Sequence, residues 1–548
     1  MIHALPPQTV REAERRAVAR APRDALMLRA ARGVADAVER LAGGRGGEGP
    51  VGVVALAGGG DNGGDALYAA AMLARDGFEV RAALLSDHPH ARALAEAQAA
   101  GVDVRRFPLP LDEGVPGWLT ADLWVDGLTG TGLRGPLREP LAAAVRELGR
   151  AARLAGTRIV AVDVPSGSGA EDGTVLGAVL PADHTVTMGA VKTPLLLPPA
   201  AQYAGSVEVV DLGLDAGAHG EGAPSAEVLR PEASDVALML RVPGPFDHKY
   251  TRGVVTVAAG SDTYPGAGVL AVMGALGAGP GMVRLESSGR TSRIVLDRHP
   301  GVVTASGRSQ AAVVGSGLDS EIEHRALSVA RRALGRGIPL VLDAGALGFV
   351  SALRTDPGPL TGVVLTPHAG EAATLLAELE DRPVERDDVE AKPLAGARRL
   401  AELTGATVVL KGSVTLVVGA DGRAFSLEGT TGWAGVAGSG DVLAGVMGSL
   451  LAQRRAEEER GGDPLDVALT AACAVWIHAE AARLAAGADP AGPAPALGAP
   501  IQADELASAV PAVIGGLVRV AQEERRTRRR RTWAQTRDEA PSAPAARL

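Results

Sequence analysis

The chain of 548 residues has one cysteine, Cys473, so it cannot form an intrachain disulfide, which excludes the disulfide-stapled secreted class. Aromatic residues are 3% of the total, and Asn62 is the sole asparagine. Only four of the 55 basic residues are lysine: Lys192, Lys249, Lys392 and Lys411. No uninterrupted apolar run reaches the roughly 18 residues of a membrane span. The opening MIHALPPQTVREAERRAVAR is charged where a signal peptide needs an apolar core. A net charge of -9 is small for this length and leaves no general nucleic-acid footprint. The expectation is a cytosolic chain of two to four domains, at about 150 residues each.

What is present is ordinary for a folded protein, with 46% hydrophobic and 22% charged residues excluding global disorder. Glycine is the exception: 72 residues, well above the usual share of about 7%. Where arginine replaces lysine so freely, a remaining lysine marks a place that needs a compact ammonium. Asn62 and three of the four lysines fall in or beside glycine-rich motifs.

Residues 8–42 read as helices, with apolar positions at helical spacing. Short apolar runs then alternate with Ala/Leu/Arg helices: VGVVALA (51–57), VRAALL (80–85), LWVD (123–126), RIVAVDV (158–164), TVTM (185–188) and VEVVDL (207–212). Such alternation predicts a mainly parallel sheet covered on both faces. Residues 213–234 are small and polar and read as a linker. Beyond them a second series begins: VVTVAA (254–259), MVRL (282–285), RIVL (293–296), AAVV (311–314), PLVLD (339–343), GVVLT (362–366), TVVLK (407–411) and VTLVV (414–418). The end of the chain, EERRTRRRRTWAQTRDEAPSAPAARL, reads as a helix end running into a disordered tail, with contact to a nucleic acid or an acidic surface as the less favoured reading.

The first strand runs into GGGDNGGD (58–65). Gly58, Gly60 and Gly63 have the spacing of a dinucleotide fingerprint. Asp61 and Asp65, however, put carboxylates where that fingerprint offers bare amides to a pyrophosphate. Two more strands end in polar loops, Asp126 before GLTGTGLRGP and Asp163 before PSGSG. In a doubly wound sheet these three loops meet in one crevice. Asn62, Asp126 and Ser166 could then offer oxygen to a hard cation, and Asp163 is a candidate general acid or base. The plain alternative for each strand-end Asp is a helix cap.

DNGGD, VDGLTGTGLRGPL and VDVPSG, in that order, resemble the N-terminal domain of bifunctional NAD(P)H-hydrate repair enzymes. The resemblance implies a Rossmann-like three-layer αβα epimerase domain over residues 1–215. It implies that the hydrated nucleotide meets Asp61, Asn62, Gly63, Gly64 and Asp65 on one loop. Gly130, Thr131, Gly132, Leu133, Arg134, Gly135 and Pro136 would meet it on another, with Asp163 at the reacting centre. Asn62, Asp126 and Ser166 would bind potassium, and Lys192 would place a positive charge near the site.

In the second half, Gly438-Ser439-Gly440-Asp441 opens an apolar helix. Free amides at a helix start make an anion hole for a transferring phosphoryl group, and Asp441 could take a proton from the accepting hydroxyl. The alternative is an ordinary glycine-rich cap. Lys411 ends a strand and His368 stands at a strand exit, whereas His478 and Cys473, on one helix, read as packed residues.

HKYTRG, GSDTYPGAG, LTPHAGE, KGSVT and GSGDVLAG together resemble the ADP-dependent NAD(P)H-hydrate dehydratases, of ribokinase-like α/β fold, over residues 235–522. By that resemblance Ala267, Gly317, His368 and Asp441 contact the hydrated nucleotide. Lys411, Gly412, Ser413, Val414, Thr415 and Gly440 would contact ADP or AMP. A linker at 216–234 and a basic tail at 523–548 complete the expected organisation. The implied function is repair of hydrated NADH and NADPH. One half interconverts the R and S epimers, and the other dehydrates the S form with ADP and magnesium, giving AMP and phosphate. The implied partners are these small molecules, without nucleic acid or membrane, in a homo-oligomer. The alternatives are a ribokinase-like kinase for a vitamin or sugar hydroxyl and a non-catalytic nucleotide-binding protein.

Overall fold

The computed structural model describes residues 1–20, 22, 24–43, 51–111, 114–214, 228–354, 359–488 and 498–538, without the side chains of 524–538. The strands are β1 (Ile2–Ala4), β2 (Gly52–Ala57), β3 (Glu79–Leu84), β4 (Asp103–Arg106), β5 (Leu123–Gly127), β6 (Arg158–Val162), β7 (His184–Met188) and β8 (Ser206–Val210). They continue as β9 (Val228–Arg230), β10 (Val254–Ala258), β11 (Met282–Leu285), β12 (Ala311–Val314), β13 (Leu340–Leu342), β14 (Val363–Leu365), β15 (Thr407–Leu410), β16 (Val414–Val418) and β17 (Ala424–Glu428).

The first sheet has the order β4-β3-β2-β5-β6-β7-β8 and is parallel throughout. The chain leaves β2 toward one edge and returns to β2's other side at β5. The switch point therefore lies between β2 and β5, where a doubly wound sheet opens its ligand crevice. β2 is buried along its whole length because both faces are covered by apolar layers, one built on Val53, Ala55 and Leu67 and the other on Val54, Leu56 and Val145. Such two-sided burial is what selects its continuous apolar run.

The second sheet has the order β1-β9-β17-β16-β15-β14-β13-β12-β10-β11. Pairing from β11 through to β15 is parallel, and β15, β16 and β17 form an antiparallel meander. Its switch point falls between β10 and β12. The helix Val467–Ala485 is long and apolar enough to cross a membrane by length and composition. Here it packs Cys473 and Ile477 into the core on one face of this sheet. Burial pushes the Cys473 thiol up to about 12, so the residue behaves as a small apolar side chain, as expected.

Three expectations differ from the structure. The run RIVL (293–296) lies in the helix Gly289–Arg298, capped by Ser288, whose hydroxyl accepts from the Thr291 amide. Its buried residues, Thr291 and Val295, are four apart, and a run of three apolar residues alone cannot distinguish strand from helix. Second, the domain boundary is not a single cut. β1, at the start of the chain, pairs antiparallel with β9, so the edge of the second sheet is built from residues 2–4 and 228–230. The helix Ala233–Met239 then packs Val236 and Ala237 into the second core, so of the expected linker only 215–227 lies outside the described residues. Third, the basic run does not leave its helix, which extends from Ala503 to Asp538, because after Gly516 it holds neither glycine nor proline and is rich in arginine. Residues 539–548 of the expected tail lie outside the described residues.

The two domains also meet through side chains. Leu196 and Leu197, beyond β7, are buried in the second domain's apolar layer together with Ala4 and Val228. Ser426, on β17, donates its hydroxyl to the Leu196 carbonyl.

Candidate active sites at two switch points

The β2 loop closes on the β5 loop because glycines let the backbones touch. A Cβ on Gly58 would stand 2.0 Å from the Leu128 carbonyl oxygen, and one on Gly127 2.5 Å from the Asn62 carbonyl oxygen. The helix Asp61–Arg75 therefore begins against the crevice, with Asp61 exposed and Gly63, Gly64 and Asp65 buried in its first turns. Thr131 to Pro136 form the opposite rim, half-buried or exposed, and the Arg11 guanidinium donates to the Thr131 carbonyl.

The three expected cation ligands come together. Asp126 is fully buried and, among the described residues, has no basic side chain as partner. Its carboxylate accepts from the Ser166 hydroxyl at 2.6 Å, the Ser166 amide at 2.9 Å and the Leu128 amide at 3.2 Å. Burial nevertheless pushes its pKa up to about 6. Asn62 donates Nδ2 to the Val162 carbonyl at 2.6 Å, which leaves Oδ1 turned toward Gly130. A buried carboxylate without a basic side chain, beside neutral oxygens, fits a monovalent cation.

Asp163 follows β6 with φ of 70°, a left-handed conformation that Asp tolerates better than most residues. The turn aims its carboxylate at Lys192 Nζ, 2.5 Å away, with Thr187 Oγ1 at 3.1 Å and the Met188 amide at 3.2 Å. Lys192 is fully buried and also donates to the Met188 carbonyl at 2.8 Å. Asp65 stands in the same pocket with Oδ1 unpartnered, and burial together with Asp163, Asp61 and Glu14 raises it well above the usual carboxylate range. Glu14, on the helix Pro7–Val18, was not singled out by the sequence. A charged residue on an amphipathic helix carries no signal there.

In the second domain the switch-point loops again hold the expected residues. Ala267 sits in the first turn of Pro265–Gly277 and Gly317 in the loop after β12, where a Cβ would stand 2.6 Å from the Ala267 Cβ. His368 caps the helix Ala369–Glu380, and its exposed ring accepts from the Glu371 amide at 3.1 Å. Lys411 leaves β15, Gly412 and Ser413 make the turn, and Val414 and Thr415 begin β16.

The helix Ser439–Glu458 is preceded by Gly438 in the left-handed region, φ 91°; the Ser439 amide donates back to the Val436 carbonyl at 3.3 Å, and the amides after it are those a helix start leaves without an intrahelical partner. Lys411 Nζ stands over that start, 3.6 Å from where a Gly440 Cβ would be. Lys411 is held by the buried Asp343 at 2.9 Å, and Asp343 accepts in turn from Thr366 at 2.7 Å and Ser316 at 3.1 Å. Asp343 was also missed, although it ends a strand in PLVLD as Asp126 and Asp163 end theirs. Half-buried Asp441 faces this cluster, and burial with the charge of Asp343 pushes its pKa up to about 6, against Ser316 and Lys411. His478 reads as expected. Its ring bonds Ser439 from behind the helix start, and burial holds it neutral at about 4.

The NAD(P)H-hydrate dehydratase family matches residues 255–502, and the YjeF-related protein N-terminus family matches residues 23–194. The bifunctional NAD(P)H-hydrate repair enzyme of Mycobacterium leprae is 39% identical over 503 residues, covering 89% of this chain and 95% of its own. The enzyme of the same name from Mycobacterium tuberculosis is 40% identical over 464 residues, covering 82% and 89%. Among solved structures, the ADP/ATP-dependent NAD(P)H-hydrate dehydratase of Bacillus subtilis is 25% identical with a TM-score of 0.43, covering 52% of this chain and 97% of its own. With both domain families matched in order and relatives aligned over most of its length, the chain belongs to the bifunctional NAD(P)H-hydrate repair enzymes.

Proposed function

We propose that the first domain interconverts the R and S forms of hydrated NADH and NADPH, and that the second returns the S form to NAD(P)H with ADP. The observation that carries this reading is the pair of carboxylate–lysine centres, Asp163 with Lys192 and Asp343 with Lys411, one at each crevice. Hydroxide is a poor leaving group near neutral pH, so the C6 hydroxyl must be converted to a better one. Asp441 takes the hydroxyl proton as that oxygen attacks the terminal phosphorus of ADP. The Gly440 amide and Lys411 stabilise the charge on the transferring group. The C6–O bond then breaks toward phosphate, and loss of a proton from C5 restores the C5–C6 double bond, leaving AMP and phosphate.

Magnesium would enter with the nucleotide, bound mainly through its phosphates rather than by a dedicated protein cage, and would offset the charge of the transferring phosphoryl group. Among the described residues no cluster of three or more His, Cys, Asp or Glu side chains is spaced for a metal. Potassium fits the first domain at Asn62, Asp126 and Ser166, where it would offset the buried charge of Asp126 and fix the two rim loops.

The test is to incubate the protein with mixed NADHX epimers, with and without ADP, and follow the return of NADH absorbance. Recovery of both epimers only with ADP is expected, and a stable phosphorylated product would overturn the reading in favour of a kinase. Two further outcomes follow. Asp441 must be ionised to accept a proton, so S-form turnover should rise through about pH 6 and level off above it. Replacing potassium by lithium at constant ionic strength should slow recovery of the R form and leave that of the S form unchanged.

A further inference from the structure

The helix Pro7–Val18 is fixed over the first crevice by the segment before it and by its own N-terminal half. Before it, Leu5 pairs with the segment that carries Lys192: its amide donates to the Val191 carbonyl at 2.9 Å, and its carbonyl accepts from the Thr193 amide at 3.0 Å. Within it, Arg11 holds the Thr131 carbonyl of the opposite rim, and the Gln8 amide donates to Glu171 at 3.2 Å. Val10 and Ala13 are buried beneath it. Glu14 lies one turn beyond Val10, half-buried, and faces Lys192, Asp163, Asp61 and Arg11. It precedes residue 23, where the family match begins.

Four carboxylates share this pocket with one lysine and one arginine, and the arrangement is incomplete. Asp65 is 7% exposed and its Oδ1 has no partner. A buried polar atom left without a partner among the described residues calls for a further hydrogen-bonding group, such as a bound ligand or water.

We propose that Glu14 is a catalytic residue of the epimerase site, the proton donor that releases the C6 hydroxyl while Asp163 remains the base. The inference rests on the epimerase reading above. C6 of the hydrated ring carries its hydroxyl beside N1. As Glu14 gives its proton to that oxygen, the C6–O bond breaks with its electron pair going to oxygen, and water leaves. The N1 lone pair forms the C6–N1 double bond, and the ring becomes an iminium cation beside the Asp163 carboxylate. Water adds to C6 from the other face and gives a proton to Asp163, which inverts the centre. The proton returns from Asp163 to Glu14 through solvent before the next turnover. The environments divide the roles. Asp163 has an ammonium at 2.5 Å, whereas burial and the neighbouring carboxylates push Glu14 up to about 7, within reach of either protonation state.

The experiment compares wild type with Glu14→Gln and Glu14→Asp in the full chain, measuring R-to-S conversion without ADP from pH 5.5 to 9. ADP-dependent repair of pure S form, measured in the same samples, reports folding. Glu14→Gln should lose about 100-fold or more in epimerisation and keep S-form repair, and Glu14→Asp should recover part of the loss. The donor must be protonated, so the wild-type rate should fall above about pH 7, and this limb should be absent from the residual rate of Glu14→Gln. An unchanged rate or an unchanged limb in Glu14→Gln overturns the assignment to Glu14. If Glu14→Gln does not fold, a wild-type rate that fails to fall above pH 7 overturns it equally, and a fall that Glu14→Asp shifts supports it. A wild type that converts no R form would instead overturn the epimerase reading.

Discussion

Asp441→Asn should lower ADP-dependent dehydration by roughly 10²–10⁴-fold, the usual effect of losing a general base. The amide is nearly isosteric, so the first turn of Ser439–Glu458 should keep its shape. Burial and the facing charge of Asp343 already disfavour the ionised carboxylate, so a neutral group costs the fold nothing there. Unchanged thermal unfolding, with S-form turnover nearly abolished and R-to-S conversion intact, is the expected set of results. Near-normal turnover would mean that the amides and Lys411 suffice without a base.

The second large effect is at Asp163. Asparagine tolerates the left-handed backbone at φ 70° and fills the same space. It cannot balance Lys192, however, whose ammonium is buried and has Asp163 at 2.5 Å. Breaking a buried ion pair from one side typically costs about 3–5 kcal/mol. Asp163→Asn should therefore both stop R-form recovery and lower stability by about that amount. Given equal epimers and ADP, NADH should return quickly to about half and then slow to the rate of spontaneous epimerisation. Asp163→Asn with Lys192→Met removes both charges and should regain most of the stability without regaining epimerisation. Recovery of the R form at the wild-type rate by either variant would remove Asp163 from the mechanism.

The central parallel strands β2, β5, β10, β12, β13, β14 and β15 were legible because each is a short apolar run buried along its whole length. The site loops were legible for the same reason, since a doubly wound sheet collects its strand ends at one switch point. The scarcity of lysine was informative as well: Lys192 and Lys411 both hold buried aspartates at the centres of their sites. What escaped was carried by tertiary contact. β1 and β9 are three residues each and have no pattern of their own, and they are strands because each supplies the other's hydrogen bonds. β4, DVRR, is a polar edge strand that no hydrophobic count detects. Glu14 becomes part of a site only because β1 and Leu5 bring its helix there.

The pairing of β1 with β9 also sets an order of assembly during synthesis. Ile2–Ala4 leaves the ribosome before any of its neighbours, while β9 is also hydrogen-bonded to β17, which ends at Glu428. At about 5–20 residues per second, that edge cannot close until roughly 20–90 s after β1 emerges. Through that interval the first domain can complete the apolar layers on both faces of its own sheet, but the layer that holds Leu196 and Leu197 still lacks Ala424 of β17, and the Leu196 carbonyl lacks the Ser426 hydroxyl. A nascent chain stalled before β17 would thus present a finished first domain with an incompletely covered apolar corner and a sheet edge without its β17 partner, the combination by which partly made proteins find one another.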